Sequence, residues 1–91
     1  MRIRWLASGL VSLRVACRFI AYDNPAAARS VADRIERAVD HLGPLPFAGR
    51  QGTVPGTREI IIPGLPYLVV YRVTDSEVQI LRVFHSKQDR H

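Results

Sequence analysis

The sequence predicts an α+β domain in which a helical hairpin packs on an antiparallel sheet, with elements in the order β-α-α-β-β-β. Three observations predict this fold. Apolar residues recur at helical spacing in two segments before residue 43, a helix boundary separates those segments, and three strand-like runs follow residue 57. With 91 residues, the chain is predicted to form one domain spanning 1–91.

The first strand and the first helix are predicted within residues 2–22. Ile3 and Trp5 alternate with two arginines, a pattern typical of a short strand. Ser8 is a suitable N-cap for the helix. Apolar residues then follow at helical spacing and define the face that we expect to be buried: Leu10, Leu13, Cys17 and Ile20, widened on one side by Val11, Val15 and Phe19. Because Cys17 is the single cysteine, an internal disulfide and a zinc site built on cysteine pairs are excluded.

The second helix has the clearest local signals. Asn24 can cap its first turn, and Pro25 suits the first helical position because its missing N–H would have no partner there. The expected buried stripe is formed by Val31, Ile35, Ala38 or Val39, and Leu42. Gly43 and Pro44 end this helix.

The strand region follows a linking loop at 43–57, whose glycines and prolines leave little room for regular structure. Strands are predicted at 58–62, 67–73 and 77–84, with short turns between them. Both side-chain parities of the later strands are substantially apolar. Since the hairpin can cover only one face, we expect a partner chain to cover the second.

The charge inventory indicates an anionic partner. Thirteen basic residues oppose eight acidic ones, the net charge is +5, and every basic residue except Lys87 is arginine. A guanidinium suits both carboxylate and phosphate, so an acidic protein segment is the first candidate and phosphate the second. A high-GC genome would also raise the arginine count. A free-standing DNA-binding module is disfavoured because the second helix has no basic face, and no stretch approaches the ~20 apolar residues of a membrane span.

Several motifs together resemble toxins of the RelE/ParE superfamily of type II toxin–antitoxin systems, on the ParE-like side. They cover nearly the whole chain: Ile3-Arg4-Trp5, Asp23-Asn24-Pro25-Ala26-Ala27-Ala28, Gly49-Arg50-Gln51-Gly52, Gly56-Thr57-Arg58-Glu59-Ile60, the run from Pro66 to Val73, and Ile80-Leu81-Arg82-Val83-Phe84-His85 with Gln88. The resemblance implies a cytoplasmic toxin without a cofactor or metal, neutralised by a cognate, ParD-like antitoxin whose C-terminal segment wraps it.

The resemblance implies two alternative targets. A ParE-like toxin would inhibit DNA gyrase without a catalytic site of its own, and this is the leading hypothesis. A RelE-like toxin would cleave mRNA in the ribosome, with Arg58 and Arg82 holding the phosphate and His85 acting as acid or base. A non-toxic member that only binds its partner is the third possibility.

Three departures favour the ParE-like hypothesis. Tyr67 stands where many nuclease members have Arg, and Ser86 stands where some have Tyr. The lysine-rich loop of strong nucleases is also missing. The candidate antitoxin- or target-binding residues are Arg50, Arg58, Tyr67, Arg72, Arg82 and His85. Four of them also have a structural interpretation: Arg58 could pair with Glu59 or Glu77, Arg82 with the second helix, His85 could be a solvated or capping residue, and Tyr67 could be a packing residue.

Overall fold

A computed structural model describes residues 1–87, and it contains two helices and a five-stranded sheet within that range. The elements are β1 (Arg2–Trp5), α1 (Ala7–Asp23), α2 (Pro25–Asp40), β2 (Arg50–Gln51), β3 (Arg58–Ile61), β4 (Tyr67–Val73) and β5 (Glu77–His85). The strand order across the sheet is β1-β5-β4-β3-β2. The predicted α+β architecture is therefore confirmed.

Three local predictions need correction. The loop after α2 contains a strand, β2, because Arg50 and Gln51 pair with Glu59 and Arg58 of β3. The sheet is not wholly antiparallel, since β1 pairs with β5 in parallel. Ser8 is not the N-cap of α1: Leu6 holds that position without a side-chain hydrogen bond.

The connection between the helices forms as the sequence predicts. Asn24 is the N-cap of α2, and its side-chain oxygen accepts a hydrogen bond from the backbone N–H of Ala27 at 3.1 Å. Pro25 occupies the first turn, where it leaves no donor unpaired. The hairpin thus turns sharply and lays both helices along the sheet.

The core lies between the helical hairpin and one face of the sheet. Its fully buried members are Ile35, Val39, Leu42, Ile62, Val69, Tyr71, Val78 and Ile80. Each such side chain contributes roughly 1.5–3 kcal/mol through burial. Cys17 packs at the edge of this cluster, and burial, together with the Glu36 carboxylate, raises the pKa of its thiol. The prediction of Cys17 as a small packing residue is confirmed.

Part of the exposed apolar surface lies on α1, where the sequence predicted buried residues. Val11, Val15 and Phe19, expected to widen the buried stripe of α1, are 57%, 60% and 80% exposed. The reason is geometric. α2 and the sheet cover one side of α1, and the apolar residues of α1 extend around more of the helix than that side. The uncovered sheet face carries apolar as well as charged side chains, since Ile61, Leu68, Val70 and Phe84 lie on it beside its arginines and glutamates.

No helix within residues 1–87 is long and apolar enough to cross a membrane.

Candidate functional site

An apolar groove of about 780 Å³ runs between α1 and the C-terminal half of β5. We call it the α1 groove. It is lined by Ala7, Ser8, Val11, Ser12, Val15, Ala16, Phe19, Tyr67, Arg82, Val83 and His85. Val11, Val15, Phe19 and Tyr22 recur at spacings of 4, 4 and 3, so they form one exposed apolar stripe along the helix.

Two serines hold the floor of the α1 groove in place. Ser8 donates a hydrogen bond to the carbonyl of Leu81 at 2.7 Å. The Ser12 hydroxyl accepts one from the backbone N–H of Val83 at 2.8 Å and donates to the carbonyl of Gly9. These bonds satisfy backbone groups of β5 beyond the end of its pairing with β1, and they fix α1 against that edge.

The polar end of the α1 groove contains Tyr67 and His85. Their rings meet edge to face, with centroids 5.3 Å apart. The backbone N–H of Lys87 donates to His85 Nδ1 at 3.2 Å, so a neutral His85 carries its proton on Nε2. Burial raises the pKa of the Tyr67 hydroxyl, which therefore stays protonated at neutral pH.

Arg58 lies elsewhere, against the loop that precedes β2. Its guanidinium donates to the carbonyl of Gly49 at 2.8 Å and of Phe47 at 3.4 Å, and stacks 5.0 Å from the centre of the Phe47 ring. The Tyr71 hydroxyl lies nearby, where it accepts from Gly49 N–H and donates to Pro46. Arg58 therefore braces this loop, and it lines a separate shallow depression rather than the α1 groove.

The sheet face away from the helices carries a polar network. Arg2 and Arg4 contact the two carboxylate oxygens of Glu77 at 3.3 and 3.4 Å. Gln79 donates to Glu77 at 2.9 Å and accepts from the Arg72 guanidinium at 2.6 and 3.0 Å. The Gln79 amide, with help from Arg2 and Arg4, holds the pKa of Glu77 below its ordinary 4.5 against the opposing effect of burial.

A second charged pair and a stacked arginine complete this face. Arg50 contacts Glu59 at 3.3 Å across the β2–β3 pairing. The Arg82 guanidinium lies 4.6 Å from the centre of the Phe84 ring. We use the name open face for this surface, whose charged members are Arg2, Arg4, Arg50, Arg72, Arg82, Glu59 and Glu77.

Comparison with known proteins identifies the family. A sequence model described as the ParE toxin of type II toxin–antitoxin system, parDE, matches residues 3–90. The chain belongs to the ParE toxin family. It is therefore a toxin of a type II toxin–antitoxin system, and membership implies an antitoxin partner.

Individual relatives of this ParE-family toxin agree with that assignment. It is 40% identical over 87 residues to the putative toxin Y4kP of Sinorhizobium fredii, with 96% of this chain and 90% of the relative covered. It is 31% identical to the toxin RelE2 of Caulobacter vibrioides, with 93% and 94% covered. A chain of the chromosomal ParDE system from P. aeruginosa superposes with a TM-score of 0.84 at 26% identity, covering 93% and 95%.

The ParE-family toxin brings together only part of the predicted residue set. Arg82, His85 and Tyr67 line the α1 groove, whereas Arg58 does not. Arg50 and Arg72 belong to the open face. The predicted ion pair of Arg58 with Glu59 or Glu77 does not form. Glu59 contacts Arg50, and Glu77 contacts Arg2 and Arg4.

Sequence reasoning missed the residues that build the α1 groove of this ParE-family toxin. The sequence predicted Val11, Val15 and Phe19 to be buried. It did not predict that Ser8 and Ser12 form hydrogen bonds with the backbone of β5. One signal was available: the apolar residues of α1 spread too widely to be covered by a two-layer fold. Within residues 1–87, no group of three or more His, Cys, Asp or Glu side chains could hold a metal ion.

Proposed function

We propose that this toxin inhibits DNA gyrase by binding and does not cleave RNA. The observation that carries the proposal is the separation of Arg58 from Arg82 and His85. Phosphodiester cleavage needs several groups converging on one phosphate, because cations must lie where charge develops and an acid or base must reach the reacting oxygen. Here the Arg58 guanidinium donates hydrogen bonds to the loop carbonyls of Phe47 and Gly49, away from Arg82 and His85.

A ribosome-dependent nuclease is the second candidate, because Arg82 and His85 line the same groove. The toxin RelE2, 31% identical, carries the name of the nuclease branch. With Arg82 and His85 alone, the phosphate of a bound mRNA would contact a single guanidinium in this groove. This arrangement supports the nuclease less well than the binding inhibitor.

The α1 groove fits the antitoxin. Its lining is apolar along α1 and polar at the Arg82–His85 end, which suits an amphipathic segment that carries an acidic residue. A segment folding into the groove would cover Val11, Val15 and Phe19, and so remove most of the exposed apolar stripe from water. A toxin that acts on gyrase works in the cytoplasm, where its antitoxin must also meet it.

The test measures two activities of the purified full-length toxin. With relaxed plasmid, ATP and gyrase, we expect a concentration-dependent loss of supercoiling. In a translation reaction on a defined mRNA, we expect no cuts at the ribosomal A site. Supercoiling that persists at saturating toxin would overturn the gyrase proposal, and codon-specific cuts would establish the nuclease instead.

Two histidine variants sharpen the result. Removing a general acid or base lowers a rate by roughly 100-fold or more, so His85→Ala would abolish growth arrest by a nuclease. For a binding inhibitor we expect His85→Ala to retain growth arrest. His41→Ala is the matched control, because His41 is exposed at the end of α2. Wild-type expression that leaves growth unaffected would indicate a non-toxic member that only binds its partner.

A further inference from the structure

The open face separates its charges by depth. The side chains of Arg2, Arg4 and Arg50 are 77%, 59% and 58% exposed, whereas those of Glu77 and Glu59 are only 9% and 4% exposed. The carboxylates therefore lie beneath the guanidinium groups that they contact. A partner approaching the sheet meets the arginines first.

The open face is also strongly positive for its size. Five arginines oppose two carboxylates among its described members, a net of +3 within a chain of +5. Each guanidinium that contacts a glutamate keeps N–H groups for a further anion, because an arginine has five donors. Ion pairing within the open face thus orients the arginines and leaves some of their N–H donors available for a partner.

The arginines form an extended array rather than a point. They lie on β1, β5, β4 and β2, and the four strand spacings of ~4.8 Å from β1 to β2 span about 19 Å. Arg2 and Arg4 are two residues apart on one strand, which separates them by roughly 6.6 Å. A duplex carries one phosphate charge per ~1.7 Å of axis when both strands are counted, so about eleven charges lie along a span of that length, and some of them face the protein.

We propose that the open face binds the phosphate backbone of duplex DNA. The biological setting rests on the proposed function: the DNA is the segment that gyrase holds, and the toxin contacts it beside the enzyme. No base is read, because a sheet face about 19 Å wide is broader than the ~12 Å major groove. Binding is therefore independent of sequence and sensitive to salt.

Composition favours DNA over a peptide on this face. Protein interfaces have apolar centres depleted of charge, whereas protein–DNA interfaces are polar and positively charged. The β1 side of the open face holds Gln79, Glu77 and Arg72, which are joined by hydrogen bonds, whereas its apolar members Ile61, Leu68, Val70 and Phe84 lie toward β3. The apolar surface suited to a peptide is the α1 groove, which α1 forms with one end of β5. The two surfaces meet at Arg82, which lines both, and otherwise fit two different partners.

The experiment measures binding of the full-length toxin to a fluorescent 20-base-pair duplex between 50 and 200 mM salt. The variant Arg2→Gln/Arg72→Gln removes two outward charges while Glu77 keeps its contacts with Arg4 and Gln79. Each phosphate contact adds about 0.9 to the slope of log affinity against log salt. We expect the slope of the variant to fall by roughly 1.8 and its affinity at 50 mM salt to fall about tenfold or more.

The matched control is Arg29→Gln/Arg37→Gln, which removes the same charge from exposed positions of α2 on the other side of the sheet. We expect this control to bind duplex nearly as well as the wild-type toxin. An equal loss in both variants would mean that only net charge matters and would overturn the proposal. Wild-type toxin that fails to bind duplex at 50 mM salt would also overturn it.

Two further arms identify the ligand. Polyglutamate of equal total charge is added as a competitor. Weak competition supports phosphate recognition, and competition equal to that of unlabelled duplex would assign the face to acidic peptides. The supercoiling assay runs in parallel. Duplex binding with unimpaired supercoiling would sink the gyrase proposal alone, whereas gyrase inhibition without duplex binding would sink the DNA proposal alone.

Discussion

Replacing Tyr71 with phenylalanine removes an oxygen atom that, together with the Arg58 guanidinium, ties the loop after α2 to the sheet. The Tyr71 hydroxyl accepts from the backbone N–H of Gly49 at 2.9 Å and donates to the carbonyl of Pro46 at 2.8 Å. The ring of Tyr71 is fully buried, and Gly49 is buried as well. Water therefore cannot replace the lost oxygen without entering the core.

The expected cost follows from these two hydrogen bonds. A neutral hydrogen bond contributes about 1 kcal/mol net, and an orphaned buried donor costs roughly 1–3 kcal/mol, so Tyr71→Phe should lower the unfolding free energy by about 2–4 kcal/mol. For a domain of this size that corresponds to a fall in Tm of roughly 10–25 °C. Such a loss is a large part of the ~5–15 kcal/mol that stabilises a typical domain.

Urea denaturation of the isolated toxin measures the effect, with the fluorescence of Trp5 as the probe. Trp5 is the only tryptophan, and it packs against the core from β1. The control is Tyr67→Phe, because Tyr67 is also buried but its hydroxyl has no hydrogen bond to another residue of the described chain. We expect the control to stay within about 0.5 kcal/mol of wild type.

Two results would refute this reasoning. A Tyr71→Phe protein as stable as wild type would mean that the loop is not held by the hydroxyl. Equal destabilisation by Tyr67→Phe would mean that ring packing, and not the hydrogen bonds, accounts for the loss. The urea dependence m should be unchanged, since neither substitution alters the surface exposed on unfolding.

Three further changes test other parts of the fold by urea denaturation. Gly9→Ala should cost about 1–3 kcal/mol, because its Cβ would lie 2.5 Å from the backbone oxygen of Ile80 and α1 would have to move; an unchanged midpoint would contradict this close approach. Asn24→Ala should cost about 1 kcal/mol through loss of the α2 cap, and a cost near zero would rule out that role. Because the pKa of Glu77 is lowered in the folded state, its contribution is present above about pH 4.5 and is lost as the pH falls further. Wild type should therefore lose more stability than Glu77→Gln between pH 5 and pH 3, and parallel losses would refute the assigned shift.

The fold was largely predictable because its signals are local. The Asn24-Pro25 boundary depends only on helix capping, and the meander depends on alternation between short turns. Two features were not predictable because they depend on contacts distant in the chain. β2 forms only because Arg50 and Gln51 lie beside β3, and the parallel pairing of β1 requires β5. β2 carries no signal of its own, and the alternation that predicts β1 does not indicate its partner or its direction.

The candidate site was less predictable than the fold. The family motif placed Arg58, Arg82 and His85 in one set, but a motif gives order and not position across a sheet. Arg58 faces the loop because its register partner is Tyr71, whereas His85 pairs with Tyr67 at the far end of β4. The exposure of Phe19 depends on how far the sheet extends under α1, which no local pattern records.

The parallel pairing of β1 with β5 has a consequence for the synthesis of the toxin. Arg2 lies opposite Glu77 and Trp5 opposite Ile80, so the first strand has no neighbour in the sheet until the last strand of the described chain is in place. During translation, a nascent chain that stops before β5 cannot complete the sheet or the floor of the α1 groove. Contacts of such long sequence separation also form late. A product terminated before β5 would therefore lack both the partner of β1 and the floor of the α1 groove.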